Sequence, residues 1–145
     1  MKLAYTLIAG LSGALVLTAT HQLLHKLFAD APRMDLMGEE ALESLSDTAD
    51  INIPSDSLYN ITLAGDIVAN TFYYSLAVAG AGKKSIMRCT TFGLAAGIGG
   101  VYLPKYVGLT NAYSDRNLST RLMTIGIYVL GGFISGAVAS AFRKS

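Results

Sequence analysis

The chain has 145 residues, of which 52% are hydrophobic and only 14% are charged, and its mean hydropathy is +0.44. This composition is too apolar for an ordinary soluble domain and indicates a membrane protein. The net charge of +1 excludes an overall basic surface of the kind that binds nucleic acid. Cys89 is the single cysteine, so an intrachain disulfide is impossible.

Four apolar stretches are long enough to cross a hydrocarbon layer about 30 Å thick, which takes roughly 20 helical residues. They cover residues 3–24, 58–81, 86–107 and 122–142. We therefore predict an all-α integral membrane protein, with residues 1–145 forming a single membrane domain built as a four-transmembrane-helix bundle. For the first stretch the alternative is a signal peptide cleaved near Ala19, but the apolar run continues in helical register through Leu24 and Leu27.

The connection between the first two spans, residues 28–57, is long and acidic. It contains eight of the ten Asp and Glu residues and must lie in water or at the headgroup level. After Pro32, apolar residues recur at helical spacing, namely Met34, Met37, Ala41, Leu42 and Leu45. We predict a short amphipathic helix here. Membrane-surface helices usually carry Lys and Arg on the polar face, whereas this one carries Asp and Glu, so we expect it to dock on the bundle or on a partner. The stretch from Ser44 to Ser57 is predicted to be irregular.

The distribution of Lys and Arg predicts the orientation in the membrane. An even number of spans leaves both termini on one side, and that side has no acidic residue. Its basic residues are Lys2, Lys83, Lys84, Arg88, Arg143 and Lys144. Cytoplasmic loops carry an excess of such residues, so we expect both termini in the cytoplasm of a cell with the protein in its plasma or inner membrane.

Small residues four positions apart occur in every span. Examples are Gly93 with Gly97 and Gly132 with Gly136. Small faces let membrane helices approach closely, so the sequence predicts GxxxG packing. Packing within the chain and packing against a second copy use the same pattern, and both remain open.

Polar side chains inside the spans mark a candidate site. Asp66 lies well inside the second span, where a carboxylate is costly unless it is protonated or paired, and such residues usually face the bundle interior. Residues three and four positions from it share its helical face. The predicted ligand or ion site comprises Thr62, Asp66, Asn70, Tyr73, Lys105, Arg121 and Tyr128.

The predicted topology brings these residues to one level of the membrane, beneath the acidic loop. His21 and His25 of the first span fall at the same level, one helical turn apart, and form a candidate metal pair with Asp66 as a third ligand. The alternative is structural: the histidines cap the span at the interface, and Asp66 pairs with Arg121 or Lys105.

For function, we favour a binding, accessory or structural membrane component with a polar site beneath the acidic loop. One alternative is a small oligomeric ion, proton or solute channel or transporter that uses Asp66. Another is a membrane-embedded metal or enzyme site at His21, His25 and Asp66. No local motif supplies a nucleophile with its base, which disfavours an enzyme, and no motif indicates a cofactor. The expected partners are the lipid bilayer and either another protein or a second copy of the chain.

Overall fold

The computed structural model describes residues 2–144, and this part of the chain is all-α, 85% helical and without strands. It contains six α-helices, listed here in chain order: α1 (Leu3–Leu27), α2 (Met34–Thr48), α3 (Ser55–Ala79), α4 (Ser85–Tyr102), α5 (Ala112–Asp115) and α6 (Leu118–Lys144). Two short 3-10 helices, Gly82–Lys84 and Pro104–Val107, flank α4.

Within residues 2–144, two helices are long and apolar enough to cross a membrane. They are α1, with a mean hydropathy of 1.7 over its most apolar window, and α6, with 1.9. The polar residues Asp66 and Asn70 lower the hydropathy of α3, and Arg88 lowers that of α4. Four membrane crossings therefore stay a prediction.

The longest helices pack side by side around α6. Helix α6 lies against α4 and α1, and α1 also lies against α3. A Cβ added at Gly97 would be 2.7 Å from the Cα of Ile125, and one at Gly136 would be 2.6 Å from the Cα of Ile86. Because real Cβ atoms essentially never come within 3.0 Å of such neighbours, a larger residue would force the backbones apart. We call this contact, formed at Gly93, Gly97, Gly132 and Gly136, the α4–α6 seam.

Many large apolar side chains face outward, and small and polar side chains occupy much of the interior. Phe72 and Leu76 of α3 are 61% and 68% exposed. After Tyr74, the largest fully buried side chains are of small or medium size: Val78, Val101, Thr120, Thr124, Pro32, Cys89, Ser85, Ser114 and Ser135. Leu17, Leu58 and Ile127 are buried as well, so the interior combines a few large apolar side chains with many small and polar ones.

Helix α2 begins soon after Pro32, where the apolar spacing predicted a helix, and it packs against α3. The prediction of an irregular stretch from Ser44 to Ser57 was wrong in its extent, because α2 continues to Thr48 and α3 begins at Ser55. Asp50, which adopts a left-handed conformation with φ of 54°, ends the helix. The short polar side chain of Asp tolerates this conformation better than most residues do.

The predicted third span, residues 86–107, is not one continuous helix. Helix α4 ends at Tyr102 because Pro104 lacks a backbone N–H and cannot continue the hydrogen-bond ladder. The 3-10 turn that follows ends at Gly108, whose φ of 81° favours glycine.

Hydrogen bonds join the chain before α2 to the start of α6. The Arg116 guanidinium donates to the Ala29 carbonyl at 2.8 Å, and the Asn117 amide donates to the Asp30 carboxylate at 2.9 Å. The Thr120 hydroxyl donates to the Asp30 carbonyl at 2.7 Å. The chain between α1 and α2 and the chain just before α6 therefore form one layer over this end of the helices. We call this end of the molecule the loop end.

The opposite end of the helices carries six of the eleven Lys and Arg residues, namely Lys2, Lys83, Lys84, Arg88, Arg143 and Lys144. Tyr5 near the start of α1 stacks on Phe142 near the end of α6, with ring centroids 4.8 Å apart, so the two termini lie together. The Arg88 guanidinium donates to the Ala77 carbonyl at 2.9 Å and closes the turn between α3 and α4.

Candidate functional site

A cavity of about 450 Å³ lies between α1, α2, α3 and α6, beneath the loop end. Its volume is within the roughly 300–1,000 Å³ range of small-molecule sites. Helix α2 supplies a largely apolar wall, formed by Met34, Ala41, Leu42 and Leu45 together with Asp35 and Gly38. Helices α1 and α3 supply the polar groups, which are Thr18, His21, Gln22, Tyr59, Thr62 and Asp66.

The cavity opens to the outside between α2 and α3. Leu45 of α2 is 68% exposed and Ile61 of α3 is 45% exposed, although both line the cavity. Gly65, also a lining residue, leaves this side open, since a Cβ added there would meet no atom within 4 Å. A ligand can therefore reach the interior from the side of the helices.

Asp66 lies on the polar wall and forms no ion pair with a Lys or Arg among residues 2–144. Its carboxylate accepts a hydrogen bond from the Asn70 amide at 2.9 Å. Thr18 and His21 of α1 face it across the cavity. Arg121, which the sequence offered as a partner, binds Asp115 at 2.7 Å, and Lys105 lies 5.1 Å from the ring centre of Tyr106. The structural pairing of Asp66 with Arg121 or Lys105 is therefore absent.

His21 is held by the start of the acidic loop. Its Nε2 lies 2.9 Å from the Pro32 carbonyl oxygen, and because a carbonyl only accepts, Nε2 carries the proton. The same nitrogen is 3.9 Å from the Asp35 carboxylate. His25 is exposed and is not among the cavity-lining residues. Among residues 2–144, no group of three or more His, Cys, Asp or Glu side chains is arranged to hold a metal ion.

Asp35 forms an ion pair with Arg33 at the edge of the cavity. The guanidinium donates from Nε at 3.0 Å and from Nη2 at 2.8 Å, one bond to each carboxylate oxygen. Burial raises the pKa of the Asp35 carboxyl, but the hydrogen bonds and the charge of Arg33 outweigh it and leave the pKa below its usual range. The pair is not among the predicted site residues. The signal for the pair was the spacing of Arg33 and Asp35 directly after Pro32.

The remaining predicted site residues are divided between the cavity and the surrounding helices. Thr62 and Tyr128 line the cavity, and the Thr62 hydroxyl is buried without a hydrogen-bond partner. Asn70 contributes through its bond to Asp66. Tyr73 lies outside the lining residues, and its hydroxyl donates to the Phe92 carbonyl at 2.7 Å, which joins α3 to α4.

One contact of the site is not predicted from the sequence. The Gln22 amide donates to the Tyr59 hydroxyl at 2.8 Å and joins α1 to α3 at the rim of the cavity. Both residues lie close to the helix ends that the predicted topology brings together, which is the signal that could have paired them.

Comparison of the chain with family models, with curated proteins and with solved structures finds no match. The geometry itself defines what the site can do. It offers an apolar surface on α2 opposite a carboxylate and a free hydroxyl on α3, so it can hold a molecule that has an apolar body and a polar group.

Proposed function

We propose that this chain is a multi-pass membrane protein that binds a small, largely apolar ligand in the cavity beneath its acidic loop. In this proposal α1, α3, α4 and α6 cross the bilayer, and α2 lies at the surface as the cover of the binding site. The observation that carries the proposal is a cavity of about 450 Å³ with one apolar wall, one polar wall and a lateral opening.

The outward-facing apolar side chains support the membrane part of the proposal. Leu11 and Leu15 of α1, Phe72 and Leu76 of α3 and Phe133 of α6 are all exposed. Monomeric soluble proteins rarely expose contiguous apolar patches larger than a few hundred Å². Lipid would cover these side chains, and the close α4–α6 seam fits the packing of membrane helices on small residues.

The segregation of charge supports the orientation. The basic residues without acidic neighbours gather where the termini meet, whereas Asp30, Asp35 and Asp115 take part in contacts at the loop end. The positive-inside rule then assigns both termini to the cytoplasm and the cavity to the outer half of the bilayer.

The membrane topology can be tested with single cysteines, because the native Cys89 is buried. Ser44→Cys in the acidic loop and Lys83→Cys in the α3–α4 turn are labelled with a membrane-impermeant maleimide on intact cells and on inverted vesicles. We expect the two positions to react from opposite sides, with the wild-type protein as the unlabelled control. Labelling of both from the same side would contradict the topology.

Ligand binding can be tested with a photoreactive alkyl diazirine and the protein in lipid nanodiscs. We expect the cavity residues of α1 and α3 to be labelled, and labelling to fall when Gly65→Leu fills the open side of the cavity. Gly126→Leu is the matched control, because a Cβ at Gly126 also meets no atom within 4 Å but the residue lies outside the cavity. Equal labelling of the cavity in both variants would contradict the binding function.

A further inference from the structure

We propose that the ligand is a single-chain amphiphile with a positively charged amino group and that the Asp66 carboxylate binds this group. The inference rests on the proposed binding function and goes beyond it by assigning the charge and the size class of the ligand. It depends on three features of the cavity: an uncompensated carboxylate, an unused hydroxyl beside it and an apolar wall opposite.

Asp66 is the carboxylate in the cavity that the protein leaves without a cation. Two carboxylates line the cavity, and Arg33 binds the other one, that of Asp35. Within residues 2–144, no Lys or Arg nitrogen lies within 4.0 Å of Asp66. A carboxylate out of bulk water is best stabilised by a cation, and the donors beside it, the Asn70 amide and the Thr18 hydroxyl, are neutral. A cationic group from the ligand would complete the site.

The acceptors around Asp66 suit an ammonium group. An ammonium donates up to three hydrogen bonds and accepts none. Thr62 lies one helical turn from Asp66 on the same face of α3, and its buried hydroxyl has no hydrogen-bond partner in the described chain. The His21 imidazole on the facing helix does not take Asp66 as its hydrogen-bond acceptor through Nε2, because that nitrogen donates to Pro32. The carboxylate and the hydroxyl can therefore receive two of the three ammonium protons.

The rest of the cavity requires an apolar body of limited size. Leu42 and Leu45 of α2 and Leu17 and Ile127 of the facing helices line it. A bare metal or alkali ion would leave these side chains without contact. A cavity of about 450 Å³ accommodates one alkyl chain with its head group, whereas the two chains of a phospholipid exceed it.

The test compares two photoreactive probes of identical alkyl chain, one ending in a primary amine and the other in an alcohol, on the protein in phosphatidylcholine nanodiscs. In the wild-type protein we expect half-maximal labelling of the cavity at about tenfold lower concentration of the amine, a difference of about 1.4 kcal/mol, because its hydrogen bond to the carboxylate joins opposite charges. In Asp66→Asn this preference should disappear while the alcohol still labels. The variant keeps an oxygen that can accept from Asn70, so the fold is conserved.

Two control variants separate charge from structure. Asp66→Glu retains the charge and should retain the preference for the amine. Asp115→Asn removes a carboxylate that Arg121 binds outside the cavity and should also retain the preference. Equal labelling by both probes in the wild type, or an amine preference that survives in Asp66→Asn, would overturn the charge assignment and leave the binding function intact. Failure of both probes to label the wild-type cavity would overturn the binding function as well.

A second arm identifies the source of the amine. The amine probe is competed with unlabelled alkylamine in phosphatidylcholine nanodiscs and, separately, with phosphatidylethanolamine included in the bilayer. Competition by the alkylamine alone supports a single-chain ligand. Competition by phosphatidylethanolamine would overturn the single-chain assignment and show that Asp66 binds the amine of a lipid headgroup.

Discussion

Gly97 in the α4–α6 seam and Gly65 beside the cavity are both helical glycines, but their surroundings differ. A Cβ added at Gly97 would meet the backbone of Ile125 at 2.7 Å, whereas one added at Gly65 would meet nothing within 4 Å. At Gly97 the missing side chain lets two helix backbones approach each other. At Gly65 it leaves open space beside the cavity. We infer that α4 and α6 form the stable part of the fold and that α2 and the neighbouring face of α3 form the adaptable part.

The largest effect on stability is expected from filling Gly97, and filling Gly65 is the comparison. Gly97→Leu should lower the free energy of unfolding by about 3 kcal/mol or more, because overpacking against a backbone cannot be relieved by moving one side chain. Gly65→Leu should leave it unchanged or raise it slightly, since leucine favours a helix more than glycine does. Unfolding of the two purified variants in the same detergent measures both values, and equal destabilisation would remove the distinction between the regions.

A second prediction compares two buried hydroxyls of α6. The Thr124 hydroxyl lies 3.0 Å from the Ser114 carbonyl and 2.8 Å from the Thr120 carbonyl, whereas the buried Ser135 hydroxyl has no partner within the described residues. Thr124→Val should therefore cost about 1–2 kcal/mol of unfolding free energy, and Ser135→Ala should cost close to nothing. The comparison fails if Ser135→Ala is the more destabilising change.

A third prediction concerns the pH dependence of the α2 cover. The pKa of Asp35 is lower in the folded protein than its ordinary value of 3.8, so the folded state binds the proton less readily than the unfolded state does. The stabilisation by the Arg33 pair is therefore complete above that ordinary value and is lost as the pH falls through the folded pKa. At neutral pH, Asp35→Asn should cost about 1 kcal/mol.

Unfolding of wild-type protein and Asp35→Asn between neutral pH and about pH 2 tests this sign. The difference in stability should shrink in the acid range below the ordinary value. A difference that grows on acidification would show that Arg33 does not stabilise the ionised carboxylate.

The smallest effect is expected at Lys105, which lies outside both regions. Its ammonium is exposed above the Tyr106 ring at 5.1 Å from the centre. Lys105→Ala should change stability by less than about 0.5 kcal/mol and should leave labelling of the cavity unchanged. A clear loss of labelling would return Lys105 to the binding site that the sequence predicted.

Helical periodicity and strong breakers were enough to predict part of the fold. The spacing of apolar residues after Pro32 predicted a helix where α2 lies, and a period of 3.6 residues groups Thr62, Asp66 and Asn70 on one face. The end of α2 was missed because it depends on a left-handed Asp50, which the sequence does not mark. The apolar stretch continues to residue 107, but α4 ends at Tyr102 because Pro104 lacks a backbone donor, so apolarity alone predicts too long a helix.

The candidate site was harder to predict than the helices, because local geometry decides which charged side chains form ion pairs. The predicted topology groups Arg121 with Asp66, but the short helix α5 places Asp115 next to Arg121, and these two residues form the ion pair. His21 and His25 are one turn apart in the sequence, yet the Pro32 carbonyl holds His21 inside while His25 stays exposed. Helical periodicity does not predict which of these two histidines is buried, since that depends on where the loop after α1 folds back against the helix.

The bonds at the loop end also determine when the site can be completed during synthesis. Glu40 on α2 accepts from Thr110, and Ala29 accepts from Arg116, so the partners are 70 and 87 residues apart. Helices α1 and α3 can pair as soon as both have been made, whereas the bonds that fasten α2 and the chain before it cannot form until Thr110 and Arg116 have been added. During synthesis the wall formed by α2 is therefore fastened at the loop end only after the helices that it covers exist.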